Sequence, residues 1–411
     1  MKVWIKYFIG IVLGIICALF LPASSVKAAE ILSFLTDLFI RIGRYIVVPL
    51  VFASGIVAVN KLRSSKMIGK TVLWTFLIIV VSSLFLTFMG IISIVLFRLP
   101  RIPIIGDTTS EVVSIDVKSL ILSLFPNSAY ESLVQGTFIG AAFLFAFFVG
   151  WSSASMNETN TFKPITMLVD SLSQLFYNIA SFFTEILSVL SVAIMCYWAF
   201  TYKSTLSSGT YTPMMIMFMI DFIVIACIIY PLIVRYVCHD PHPYRVLYAS
   251  LAPFMLSFIS GDSNLALGIS TLHGKESLGI RRRISGFTYP LFSIFARGGS
   301  ALVASISFII IMYSYSSLEL KLGQIMIIFL IAFGASFLLG GLPTGGAFVL
   351  LTVICQKYGQ GFESSYLLLK PTAFIICSFA TLIDTATAMF GSYIVASKTK
   401  MIEYHSIKNF I

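Results

Sequence analysis

Long apolar stretches separated by short polar breaks run along almost the whole chain. Read as helices, they predict spans at about 5–22, 31–60, 68–98, 118–153, 165–202, 211–238, 284–315 and 365–397. About 20 apolar residues cross a bilayer, so the longest stretches imply tilted, kinked or protruding helices. The polar breaks at 99–116, 154–164, 203–210 and 239–243 are too short to hold a soluble domain. Two segments depart from this pattern. Residues 244–275 are interrupted by Ser260-Gly261-Asp262-Ser263-Asn264, and residues 322–358 by Gly340-Gly341-Leu342-Pro343-Thr344-Gly345-Gly346. Their arms are about half the length of a spanning helix, which predicts two re-entrant hairpins that enter the membrane and turn back. Bare backbone at that depth is tolerated only when buried in protein or lining a wet cavity. Paired broken segments of this kind point to a transporter's binding site. Residues 1–240 are plain spans, whereas 244–397 hold both hairpins and most intramembrane polar groups. The contrast suggests a static part and a substrate-carrying part.

Composition agrees with an all-α integral membrane protein: 58% of the 411 residues are hydrophobic and 11% charged. A net charge of +10 is compatible with a nucleic-acid partner, but the basic residues sit in short connections rather than one stripe. Lys2 and Lys6 open the chain, and Lys61, Arg63, Lys66 and Lys70 follow the second span. Arg235 and Arg245 precede the first hairpin, and Arg281, Arg282 and Arg283 follow it. Lys398, Lys400 and Lys408 lie near the end. These clusters alternate along the chain, so the positive-inside rule places them and both termini in the cytoplasm, with the protein multi-pass in the cell membrane. The expected partners are the lipid bilayer and a small-molecule substrate, with no nucleic acid. The first apolar run has the outline of a signal peptide, but the spans after it favour a first transmembrane helix. Cys17, Cys196, Cys227, Cys238, Cys355 and Cys377 lie mostly in apolar segments without metal-ligand spacing. No phosphate loop, zinc signature or nucleophile constellation is present, so neither an enzyme nor a cofactor is expected.

Four motifs carry a resemblance to the dicarboxylate/amino acid:cation symporter family, the elevator-type glutamate transporter homologues. Val48-Pro49-Leu50-Val51-Phe52-Ala53-Ser54 resembles the family's second-helix motif, and Ser260 to Leu267 its first hairpin tip. Ala335 to Leu350 resembles the second hairpin tip, and Gly391 to Ala396 the end of the last helix. The resemblance covers nearly the whole chain. It implies eight transmembrane helices plus two re-entrant hairpins, arranged as inverted repeats in a homotrimer. Residues 1–67 would form scaffold helices one and two, 68–98 transport-domain helix three, and 99–210 scaffold helices four and five. Residues 211–411 would form the rest of the transport domain, sliding across the bilayer with the second hairpin as a gate. Substrate contacts would come from Ser260, Gly261, Asp262, Ser263, Asn264, Gly341, Pro343, Thr344, Gly345, Thr381 and the charged pair Arg297 and Asp384.

Departures from the family pattern matter as much as the likeness. Where the family has a sodium-binding Asn-Met-Asp-Gly-Thr in its seventh span, this chain reads Ala296-Arg297-Gly298-Gly299-Ser300. The family's amine-holding Asp and acid-holding Arg align with Cys377 and Ala380, and a second sodium-binding Asp with Ala388. Degenerate sodium sites thus lie near Ser82, Ser83, Ala296, Gly298 and Ala388. Hard cations depend on carboxylate oxygens, and a cation beside Arg297 would be repelled, so the usual sodium sites are not expected. Arg297 then substitutes for the bound cation, either as a fixed charge or as an anchor for a substrate carboxylate, with Asp262 and Asp384 as its expected partners. The bland readings remain open: Arg297 as a cementing ion pair, Asp384 as its counter-ion, and Asp262 as a solvated turn residue. Glu185 and Asp221 read as structural, Arg41 and Arg44 as snorkelling to the outer interface, and His239, His242, His273 and His405 as loop residues. The resulting expectation is an elevator-type carrier of a small amino acid or carboxylate, with sodium, proton or no coupling ion. The alternatives are an ion-independent uniporter or exchanger, or a non-transporting receptor or channel on the same fold.

Overall fold

The structure, a computed structural model, describes residues 2–21, 26–103, 122, 124–134, 139–156, 163–315, 321–341, 346–406 and 410–411. These are helical almost throughout, as hydrocarbon demands of backbone that cannot hydrogen-bond to water. The first seven long elements are α1 (Val3–Phe20), α2 (Val26–Tyr45), α3 (Val47–Ser64), α4 (Ile68–Leu96), α5 (Ile139–Met156), α6 (Lys163–Thr201) and α7 (Thr212–Val237). Three broken pairs follow: α8 (Tyr244–Ser260) with α9 (Ser263–Glu276), α10 (Arg282–Phe295) with α11 (Gly298–Tyr315), and α12 (Leu322–Ser336) with α13 (Gly346–Tyr358). A 3-10 turn, Phe337–Gly341, extends α12, and another, Ser365–Thr372, leads into α14 (Ala373–Lys398). Among the described residues eight helical stretches are long and apolar enough to cross a membrane.

Several boundaries differ from the sequence pattern. The predicted span 31–60 starts earlier and is interrupted at Ile46. Pro49 lacks an amide hydrogen for the Tyr45 carbonyl, which weakens the helix at that point. Among the described residues of predicted span 118–153, the helical elements are the turn Glu131–Val134 and helix α5. The predicted span 284–315 is two helices that meet at Ala296 and Arg297. The hairpin arms also exceed half a span: α8 has 17 residues and α9 has 14, about 26 and 21 Å of helix. In the second hairpin, Leu322–Gly340 is by itself long enough to cross.

Inside α7 the segment Val224–Ile229 is a π turn. Pro231 cannot donate to Cys227, and the widened turn absorbs the missing bond. The turn also resets the buried face. Met214, Phe218, Asp221 and Ile225 form one stripe whose α-helical continuation would be Ile229 and Leu232, yet Tyr230 and Val234 are the buried residues.

Two helices form the centre. α11 is buried without a gap from Gly298 to Met312, and α14 from Ile375 to Ala396. Helices apolar on every side belong in such positions. α4, α8, α9, α10, α12 and α13 pack around this pair, whereas α1 and α2 pack on α6, and α3 on α5. Hairpin 1 and α10 bridge the two groups through contacts with α1, α3 and α6. Phe8, Phe20, Leu73, Phe76, Phe88 and Leu330 are exposed on the outer helices, as a lipid-facing surface requires.

The two ends of hairpin 1 lie on the same side, as a re-entrant segment requires. Tyr248, near its start, accepts hydrogen bonds from Lys2 at 3.0 Å and Trp4 at 3.3 Å and packs against Phe410. Just past its end, Ile280 pairs with Ile402, and Arg281 bonds Glu403 at 3.0 Å. Residues 402, 403 and 410 therefore lie at the mouth of the hairpin. The clustered basic residues Lys2, Arg245, Arg281 and Lys398 belong to this one face.

Candidate functional site

The tip of hairpin 1 is built from two adjacent helix caps. Gly261 ends α8 in the left-handed conformation, φ +60°, and its amide donates to the Ser257 carbonyl at 2.9 Å. Only glycine adopts that backbone freely, which makes it the common helix terminator. Asp262 then turns to extended backbone and caps α9, its Oδ1 accepting the Asn264 amide at 2.8 Å. Asn264 Oδ1 accepts the Ser293 hydroxyl at 2.9 Å and ties the tip to α10. The Ser260 hydroxyl is occupied by the Leu256 carbonyl at 2.7 Å.

Asp262 is 1% exposed and so is not a solvated turn residue. Its direct partner is Arg44, from the middle of the α2–α3 stretch. Arg44 Nε and Nη2 both reach Asp262 Oδ2, at 2.9 and 2.8 Å. Arg44 thus points into the protein instead of snorkelling to the outer interface. An unpaired charge at membrane depth costs at least about 2.5–3.5 kcal/mol, which explains why the carboxylate draws a partner from another helix.

A second capped break lies between α10 and α11. Asp384, on α14, accepts the amides of Gly299 at 2.7 Å and Ser300 at 3.2 Å on Oδ1, and the Ser300 hydroxyl at 2.7 Å on Oδ2. Its first role is to cap α11 from across the fold, where the N-terminal dipole favours a negative charge. Arg297 Nη1 stands 3.8 Å from the same Oδ2, so the expected counter-ion role is real but secondary. Two glycines permit this geometry. A Cβ on Gly299 would fall 2.6 Å from Ile383 Cβ and 2.8 Å from Asp384 Oδ1, and one on Gly298 would fall 2.7 Å from Ser83 Cα. Arg297 is 3% exposed, and its Nε and Nη2 have no hydrogen-bond partner among the described residues. The Oγ atoms of Ser83, Ser263 and Ser378 and Oγ1 of Thr385 are likewise buried without partners among the described residues.

Most of the sequence-predicted site converges here, from hairpin 1, the α10–α11 break and α14. Thr381 shares its hydroxyl between the carbonyls of Cys377 at 2.9 Å and Ser257 at 3.0 Å, joining α14 to α8. Gly341 ends the 3-10 turn beside Gly340, whose Cβ would fall 2.6 Å from the Ile294 carbonyl, so this turn backs onto the same break. Pro343, Thr344 and Gly345 lie outside the described residues. At the degenerate sodium positions, Ser82 bonds the Ile79 carbonyl at 3.1 Å, and Ala296 and Ala388 are buried without side-chain oxygen. Among the described residues no three His, Cys, Asp or Glu side chains group as a metal site. Asp221 accepts the Ser93 hydroxyl at 2.6 Å between α7 and α4, and Glu185 pairs with Lys6 of α1. His273 is buried in α9 rather than set in a loop. Sequence reasoning missed Arg44 as a site residue, although an arginine deep inside an apolar span is a signal in its own right.

A re-entrant hairpin, a broken helix opposite it and buried charges at both tips are transporter architecture. The sodium:dicarboxylate symporter family matches residues 3–398. The chain belongs to that family. Its members are transporters, not enzymes. Neutral amino acid transporter A of Homo sapiens is 29% identical over 127 residues, 31% of this chain. That match spans only 24% of the human relative's length. The proton/sodium-glutamate symport protein of Geobacillus stearothermophilus is 22% identical over 378 residues, 87% of this chain and 85% of its own. Excitatory amino acid transporter 3 of Homo sapiens is 24% identical over 178 residues, 43% of this chain and 32% of its own. Within this sodium:dicarboxylate symporter family member, the α10–α11 break carries a guanidinium and two glycines.

Proposed function

We propose that this chain is an elevator-type secondary transporter for a small amino acid or carboxylate and does not use the family's usual sodium sites. The observation that carries the reading is the α10–α11 break. There the Asp384 carboxylate is met by the α11 N-terminus, Ser300 and Arg297, so covalently held positive groups stand where a metal cation would neutralise it. The names of the relatives, neutral amino acid and glutamate transporters, support an amino-acid cargo. The packing supports a division in which α1, α2, α3, α5 and α6 are the scaffold and α4 with α7–α14 the moving body. The protein would work as a homotrimer in the cell membrane, with the basic face and both termini in the cytoplasm. Its flux would be coupled to protons, or would run as uniport or exchange without any ion.

Uptake into proteoliposomes tests the proposal, with a labelled panel of amino acids and dicarboxylates under an inward sodium gradient, an inward proton gradient, and neither. The expected result is saturable uptake or exchange indifferent to sodium. Concentrative uptake that requires sodium would overturn the ion assignment, conductance without saturation would indicate a channel, and binding without flux a receptor.

A further inference from the structure

A groove of about 830 Å³ lies apart from the site described above, where the end of α7 meets the start of hairpin 1. Much of its lining is apolar, with Leu232, Leu247 and Leu251 along it, and Leu232 is exposed on the lipid-facing side. Arg235, His242 and Arg245 line the same groove. Arg235 Nη1 donates to the Pro241 carbonyl at 2.9 Å, and no carboxylate pairs with this side chain among the described residues. Arg245 is 7% exposed, its Nη2 donates to the Tyr393 hydroxyl at 3.1 Å, and its Nε has no hydrogen-bond partner among the described residues. The nearby carboxylate, Asp240, is already engaged. Its Oδ1 accepts the His242 amide at 2.9 Å, and its Oδ2 accepts the Tyr393 hydroxyl and stays 3.8 Å from Arg245 Nε. Two guanidinium groups thus face one committed acid, and one of them keeps a buried donor to spare.

We infer that this groove binds one anionic phospholipid, its phosphate held by Arg235, His242 and Arg245 and an acyl chain laid along Leu232, Leu247 and Leu251. Guanidinium forks match phosphate oxygens in shape as well as charge. Arg235 lies in the last turn of a helix long enough to cross the membrane. The groove therefore sits at the depth where headgroups give way to chains. A free phosphate would leave the apolar wall unused, and a zwitterionic lipid would bring a cation to a place already positive. Lys2 adds a further positive charge nearby, because it bonds Tyr248, which also lines the groove. This is the basic face proposed as cytoplasmic, where anionic lipids give the leaflet its negative potential. The lipid site does not depend on which solute is carried or on which ion drives it.

The test uses the full-length protein in a neutral detergent, with bound lipid counted by native mass spectrometry. The probes are dioleoyl phosphatidylglycerol and dioleoyl phosphatidylcholine, with glycerol 3-phosphate and inorganic phosphate as anions without chains. The anionic lipid should saturate at one per chain and bind about 25-fold more tightly than the zwitterionic one, roughly fivefold for each arginine. Arg235→Gln should lose about fivefold, and Arg235→Lys should recover part of that loss. His242→Glu, at an exposed position, puts a like charge beside the phosphate and should also weaken binding, which provides a second reading if Arg235→Gln does not fold. Lys70→Gln removes a basic residue at the start of α4 and should change binding by less than about twofold. Equal binding of the two lipids, or equal losses in Arg235→Gln and Lys70→Gln, would overturn the inference. Displacement of the lipid by inorganic phosphate or glycerol 3-phosphate at equal concentration would overturn the lipid assignment in favour of a free-anion site.

Discussion

The tip of hairpin 1 and the α10–α11 break solve one problem in two ways. Each is a helix interrupted at membrane depth, each places a carboxylate on the N-terminus of the following helix, and each adds an arginine. At the tip the cap is local, Asp262 on its own helix, and the arginine comes from α2. At the break the cap arrives from α14, and the arginine is the residue just before the helix. The first pair joins elements on opposite sides of the proposed division. The second lies wholly within the buried centre. In the proposed elevator, one charge pair therefore spans the division and the other lies inside the body proposed to move.

The largest effect should come from breaking the second pair. Asp384→Ala uncaps α11 and strands Arg297, so it should destabilise the protein by roughly 3–5 kcal/mol. A thermal melt in detergent would show this, and the double variant Asp384→Ala with Arg297→Met should recover part of the loss. Asp262→Asn should cost less, about 1.5–3 kcal/mol, because asparagine still caps α9 and Arg44 can turn to water. A penalty equal to that of Asp384→Ala would erase the distinction between the two sites. Gly299→Ala sharpens it from the steric side. Its Cβ would strike Ile383 and Asp384, for an expected loss of about 1–3 kcal/mol by the same melt. Lys6→Gln removes an ion pair away from both sites. Its partners, Lys6 and Glu185, are 29% and 48% exposed, so the melting free energy should change by about 0.2–1 kcal/mol and by less in high salt.

The hairpin 1 tip was legible in the sequence because its signals are local: Gly261 to stop a helix and Asp262 to start the next. The basic connections and most spans were legible for the same reason. The α10–α11 break was not. Apolar residues run up to Ala296, and a hydrophobic pattern cannot show that Gly298 and Gly299 begin a helix capped by a residue 85 positions away. Arg44 and Asp262 are separated by 218 positions, and only the folded chain brings them together. The resemblance to the family implies only that Gly298 stands where a carboxylate is expected. The structure shows that glycine there lets α11 approach α4, so the substitution alters packing as well as charge.

The π turn in α7 has a consequence for changes in chain length. A turn that holds one residue too many is an insertion that the helix has accommodated without lengthening its neighbours. Deleting a single residue between Val224 and Ile229 would leave an ordinary helix of nearly the same composition. It would also rotate Tyr230, whose hydroxyl lies 2.6 Å from that of Thr387 on α14, by about 100° away from that partner. A one-residue deletion in α7 should thus be felt at the central helix, although every residue type that touches it is still present.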